Sequence, residues 1–96
     1  MNYELEFDPR ALKEWKKLDE TVKTQFKKKL AAVLINPDIP ANRLREFPHC
    51  YKIKLKKLGY RLVYQIQHEK VVVFVVAVGK REKEETYDKA KERLFF

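Results

Sequence analysis

Eight consecutive apolar residues, Val71-Val72-Val73-Phe74-Val75-Val76-Ala77-Val78, constrain the fold of this chain more than any other segment. The run is far too short to cross a bilayer as a helix. As part of a strand over residues 70–78 it is apolar at every position, so both of its faces must be covered and it must lie inside a sheet. Residues 60–67 and 51–56 precede it closely, and the turns between them are too short for anything but antiparallel hairpins. A central strand also needs a neighbour on its other side. The only candidate is the alternating segment Tyr3-Glu4-Leu5-Glu6-Phe7, which reads as a half-buried strand.

The remaining chain is helical. Asp8-Pro9 begins a first helix, because an aspartate side chain caps free amides and proline suits the first helical position. Leu12, Trp15 and Leu18 form its apolar stripe. Asp19 or Thr21 begins a second helix, in which Val22, Phe26, Leu30, Val33 and Leu34 keep helical spacing until Asn36-Pro37. Residues 37–48 read as a loop. Residues 82–94 form a short, highly charged helix with Tyr87, Ala90, Lys91 and Leu94 along one side, which is expected to pack weakly and leaves Phe95-Phe96 as an extension or a frayed tail. The expectation is one α+β domain over residues 1–96: an N-terminal strand, a helical hairpin, and a three-stranded antiparallel meander completing a four-stranded sheet, then a C-terminal helix.

Charge is the second constraint. The formal net charge is +8, which favours nucleic acid or an acidic protein as partner. Between positions 43 and 61 lie Arg43, Arg45, Lys52, Lys54, Lys56, Lys57 and Arg61, against the single acid Glu46, and Lys80, Arg81 and Lys83 follow the apolar strand. Alternation puts Lys52, Lys54 and Lys56 on one strand face and Ile53 and Leu55 on the other. A loop centred between Lys57 and Leu58 sets Arg61 directly across from Lys54, and opposed cations in a cross-strand pair are destabilising. Either this face is simply solvated, or a polyanion lies across it and its phosphate oxygens satisfy the ammonium groups and the guanidinium fork together. Lys23, Lys27, Lys28 and Lys29 lie mostly off the apolar stripe of the second helix, as a solvated face or a nucleic-acid contact.

Other chemistries find little support in the residues. The single Cys50 can form no internal disulfide and reads as a small buried residue, and no Cys/His cluster has metal-ligand spacing. Neither a cofactor nor a metal is expected, and the acidic N-terminus lacks the cations of a signal peptide, so a cytoplasmic location is expected.

Lys52, Lys54, Arg61, Arg81 and Tyr87 together suit metal-free RNA cleavage. There the 2′-hydroxyl attacks the adjacent phosphorus, which needs a base, charge stabilisation of the phosphorane and a proton for the departing 5′-oxygen. His49 and His68 fall in a loop and a turn. Glu82, Glu84 and Glu85 have a sufficient structural role at a helix start. Tyr87 is the base to test, and lowering a phenol from pKa ~10 to ~7.5 needs roughly 3–4 kcal/mol of phenolate stabilisation, which several nearby cations can supply. A half-buried aromatic packed on the sheet is the other reading of Tyr87.

The segments FDPRALKEWKKL, CYKIKLKKLGYRLVYQ and VVVFVVAVGKRE, with Tyr87 six residues after Arg81, resemble the RelE toxins of bacterial toxin–antitoxin pairs, in one register from Tyr3 to about Leu94. The resemblance implies a microbial-ribonuclease-like α+β fold and ribosome-dependent cleavage of mRNA in the A site. It implies Lys52, Lys54 and Arg61 as phosphate binders and transition-state stabilisers, Lys52 or Lys54 also depressing the tyrosine's pKa. Arg81 becomes the proton donor or leaving-group stabiliser, Tyr87 the general base, and Arg45 a substrate contact. Lys23, Lys27 and Lys28 then have a use in gripping ribosomal RNA through its phosphates. The implied partners are the 70S ribosome with A-site mRNA, and a RelB-type antitoxin that wraps the toxin and displaces the last helix. Operator DNA is implied only through the antitoxin complex, and no membrane partner is implied. A non-catalytic basic RNA- or ribosome-binding module and an antitoxin-dependent corepressor are the alternative functions.

Overall fold

The computed structural model describes residues 2–82 and 85–95. Lys83, Glu84 and Phe96, named above as a basic residue, a possible base and part of a tail, lie outside the described residues. The elements run β1 (Glu4–Phe7), α1 (Pro9–Lys16), α2 (Glu20–Ile35), a 3-10 turn (Pro40–Asn42), β2 (Cys50–Leu55), β3 (Tyr60–Gln67), a second 3-10 turn (His68–Lys70), β4 (Val72–Lys80) and α3 (Glu85–Phe95).

The sheet order is β1-β4-β3-β2. The apolar strand is therefore internal, with β1 beside it as expected, and the β1–β4 pairing is parallel. Both boundaries of β4 lie two residues later than the expected strand over residues 70–78. The cause is the 3-10 turn after β3 together with Val71, which adopts a left-handed conformation (φ 55°) that a β-branched residue enters only under constraint. β2 begins one residue early, at Cys50, and ends at Leu55, so Lys56 belongs to the following turn and not to the strand face. The described part of α3 is Glu85–Phe95, and two of the positions between its first residue and the expected start at 82 lie outside the described residues.

The helix starts follow from the sequence. The Asp8 side chain accepts from Arg10 N at 2.8 Å and Asp19 accepts from Val22 N at 2.9 Å, so Asp19 and not Thr21 caps α2. The stripe of α1 is rotated from its expected position: Ala11 is fully buried, Trp15 and Leu18 are half-buried, and Leu12 is 37% exposed. Trp15 packs against Phe7 and Phe26, tying β1, α1 and α2 together.

Two apolar clusters lie on opposite faces of the sheet. Tyr51, Ile53, Leu55, Leu62, Tyr64, Ile66, Val73, Val75 and Val78 face α1 and α2, where Val22, Phe26, Leu30 and Val33 cover them. Cys50, Val63, Val76 and Ala77 face α3 and pack with Ala90 and Phe47. β4 changes phase between the clusters. Tyr64 pairs with Val75 but Val63 with Ala77, so Val76 is an extra residue, a β-bulge, and beyond it the strand's alternation is reversed. Val78 consequently joins the α1–α2 core, while Gly79 comes under α3, where an added Cβ would stand 2.9 Å from Thr86 Oγ1.

Candidate active site

The face beneath α3 is where the basic residues gather. The β2–β3 register pairs Lys54 with Arg61 and Lys52 with Val63. Alternation then places Lys52, Lys54 and Arg61 on the same side of the sheet as Cys50 and Val63. The hairpin turn that sets this register spans residues 56–59, closed by Gly59 N–H donating to Leu55 O at 2.8 Å, with Gly59 at φ 72°. That positive φ explains glycine at this one position. The same turn holds the end of β4, since Arg81 N–H donates to Gly59 O at 2.9 Å.

Tyr87 reaches the cations from above. Thr86 and Ala90 are buried against the sheet, so Tyr87, one position around the helix from Thr86, projects from the margin of the buried face and is half-buried. The Arg61 guanidinium carbon lies 5.2 Å from the centroid of the Tyr87 ring, in cation–π range. Arg61 Nε is buried and has no hydrogen-bond partner among the described residues. A buried donor left unmatched costs about 1–3 kcal/mol, so Arg61 Nε–H favours a water or a ligand oxygen as acceptor. The Tyr87 hydroxyl oxygen is itself buried. Side-chain movement in the cleft must therefore precede any contact between that oxygen and a ribose.

Two adjoining clefts define the accessible surface of the site. One, of about 440 Å³, is lined by Lys52, Tyr87, Arg43, Arg45 and Lys91 together with Phe47 and the acids Glu46 and Asp88. The other, of about 200 Å³, is lined by Lys54, Arg61, Arg81, Tyr60 and Lys56. The structure thus brings Lys52, Arg45 and Tyr87 to one cleft and Lys54, Arg61 and Arg81 to the next, with Arg61 beneath the Tyr87 ring between them. The repulsion expected from register is present. The ammonium of Lys52 holds the Lys54 pKa below its ordinary value, with desolvation and then Arg61 contributing in the same direction.

Three residues at the site are not singled out by sequence pattern. Arg43 forms an isolated antiparallel bridge to Tyr51, which carries the 43–47 loop alongside β2 and into the first cleft. Helical spacing puts Lys91 on the apolar side of its helix, yet it is exposed at the cleft rim. Lys29 Nζ donates to Lys54 O at 3.1 Å, so among the α2 lysines this one touches the site strand. Lys23 instead pairs with Glu20 at 3.8 Å, and Lys27 and Lys28 are exposed on the far face of α2. A spacing argument cannot separate Lys29 from its neighbours, because the distinction depends on how α2 crosses β2.

Residues 5–85 match the family described as the ParE toxin of type II toxin–antitoxin systems, parDE. The mRNA interferase toxin RelE of Escherichia coli K12 is 62% identical over 94 residues, covering 98% of this chain and 99% of that protein. This chain belongs to the RelE toxin family. A solved structure of a mutant E. coli toxin RelE in the free state superposes with a TM-score of 0.91 at 61% identity, covering 98% of this chain and 99% of that one. The RelE chain in the intact E. coli RelBE toxin–antitoxin complex superposes with a TM-score of 0.81 at 64% identity, over 84% of this chain and 99% of that one. The RelE fold is therefore shared across the sheet and all three helices, and the α+β architecture read from the apolar strand is the architecture of the family.

Proposed function

We propose that this chain is the toxin of a type II toxin–antitoxin pair, a metal-independent endoribonuclease that cuts mRNA in the ribosomal A site and so stops translation. The carrying observation is Arg61, whose Nε–H is buried without a hydrogen-bond partner among the described residues while its guanidinium lies under the Tyr87 ring and opposite Lys54. A phosphate oxygen is the complement such a group lacks. In this reading Tyr87 removes the proton of the ribose 2′-hydroxyl. Lys52, Lys54 and Arg61 stabilise the charge that builds on the phosphorane, and Arg81 protonates or stabilises the departing 5′-oxygen. Arg45, joined by Arg43 in the cleft with Lys52, holds the strand on the other side.

The burial of the Tyr87 hydroxyl suits dependence on the ribosome. Free RNA meets a closed cleft, whereas a ribosome that fixes a codon supplies the orientation that offsets opening it, and orientation alone can lower a barrier by about 7–11 kcal/mol. Lys27 and Lys28 are proposed to contact ribosomal RNA from the exposed face of α2, with the half-buried Lys23, paired with Glu20, at its margin. The E. coli homologue's complex with RelB supports a RelB-type antitoxin as partner; operator DNA is proposed to be reached only through such a complex.

Mapping of new 5′ ends on mRNA in a purified translation reaction tests this directly. The expected result is cuts inside the A-site codon, reduced about 100-fold or more by Tyr87→Phe or Arg81→Ala. Undiminished cutting by both variants removes the mechanism. Binding without any new ends favours instead a basic ribosome-binding module, the second reading that the buried phenol allows.

A further inference from the structure

β1 pairs with β4 only as far as Val75, and Asp8 N–H closes that side by donating to Val75 O at 2.8 Å. Beyond it that edge of β4 continues with no strand beside it among the described residues, and the bulge at Val76 turns Val76 O and Val78 N–H toward this open edge. Two side chains occupy the place of the missing strand. Val78 N–H donates to Glu14 Oε1 at 3.1 Å, and Arg93 Nη1 donates to Val76 O at 2.8 Å. Between themselves they form a two-pronged ion pair, Nη1 to Oε1 at 2.8 Å and Nη2 to Oε2 at 3.0 Å, to which Lys89 adds a contact at 3.0 Å. The Arg93 and Glu14 side chains are only 10% and 18% exposed.

At its start α3 is seated by Thr86, which lies over Gly79 and donates through Oγ1 to Lys80 O at 3.4 Å. Farther along, Ala90 shares an apolar cluster with Val76 and Ala77, whose small side chains give that end of the helix little hold on where it stops along the sheet. Directional, charge-assisted hydrogen bonds to two named backbone groups of β4 do fix that position. Six residues before Arg93 on the same helix is Tyr87, so the height of the phenol over Arg61 is set from the far end of α3.

We propose that Glu14 and Arg93 form a clasp that positions Tyr87 for catalysis, acting through the docking of α3 on the open edge of β4. The catalytic half of this inference rests on the reading of Tyr87 as the base in RNA cleavage; the mechanical half does not. Glu14 and Arg93 line neither cleft of the site, so both are positioning residues.

Cys50 supplies a readout independent of activity, because it is fully buried in the cluster beneath α3 with Ala90. In full-length Glu14→Gln and Arg93→Leu variants, labelling of Cys50 by a disulfide reagent in native buffer is expected to speed up on the order of tenfold or more. Urea unfolding checks that the sheet remains folded. On programmed ribosomes the single-turnover cleavage rate is expected to fall by a comparable factor, while the concentration giving half-maximal rate stays within about twofold, since the RNA-binding cations are untouched. The double variant should be no worse than Arg93→Leu alone, because the two residues act as one unit.

Arg93→Lys keeps the charge but loses the fork. It should be intermediate in both readouts, and it carries the test if the harsher variants do not fold. Wild-type protection of Cys50 in these variants overturns the clasp. Faster labelling with an unchanged or increased cleavage rate overturns its role in positioning Tyr87. A wild-type protein that labels slowly yet cuts no mRNA overturns the cleavage reading instead, and the labelling comparison still decides the clasp.

Discussion

Lys54 carries a conflict that the fold does not relieve. It faces Arg61 across the hairpin and neighbours Lys52 on its own strand, and both make the Lys54 proton costly to hold. Lys54→Gln is expected to raise stability by about 0.5 kcal/mol at neutral pH, read as a higher urea midpoint, while lowering cleavage. The sign with pH follows from the depressed Lys54 pKa. Below that value both folded and unfolded chains are protonated and the repulsion is present in full. Between it and the unfolded value the unfolded chain binds more protons, so wild-type stability rises with pH. The advantage of Lys54→Gln should therefore shrink as the pH rises toward about 10, the ordinary lysine value. The opposition of Lys54 and Arg61 is legible in the sequence because antiparallel register is arithmetic once a loop centre is known. The approach of Arg61 to the Tyr87 ring is legible there only as types of residue, since no periodicity in α3 reveals which sheet residue lies beneath it.

At the level of elements, α3 departs most from what its composition suggests. A short helix with so many charges reads as weakly packed, yet Thr86 and Ala90 are buried and the Arg93 side chain is largely covered through an ion pair with α1 that no local pattern announces. Phe95, half exposed, still meets the Phe47 ring edge-on at 5.8 Å. The start of α3 depends on the lack of a side chain at Gly79. Its backbone does not require glycine, so Gly79→Ala ought to gain a little from a stiffer unfolded chain. Contact with the short, buried Thr86 side chain outweighs that gain, and the expected result is a loss of about 1–2 kcal/mol, measured by urea unfolding. Thr86→Ala in the same chain should restore much of it, which identifies the contact as the cause. The strands and the two N-terminal helices are readable from sequence, because alternation, caps and the Asn36-Pro37 break are local signals. The two-residue offset of β4 is not, because it originates in the left-handed Val71.

For the whole molecule, of net charge +8, the two clefts together gather eight cations against two acids, and folding holds those cations closer than the unfolded chain would. A single-stranded RNA added at low salt should therefore raise the melting temperature, and the shift should largely vanish by about 0.5 M salt as counterion release loses its force. A shift that survives high salt would mean that apolar contacts hold the RNA. The bulge at Val76 has the widest reach of any single residue here. It behaves like a frame-setting insertion: removing one residue from that stretch of β4 leaves every hydrophobic side chain available but exchanges inside for outside from there to the end of the strand. Homologous chains can thus exchange one apolar residue for another along β4 with little penalty, while a one-codon length change there would turn Arg81 and the helix that follows it toward the wrong side of the sheet.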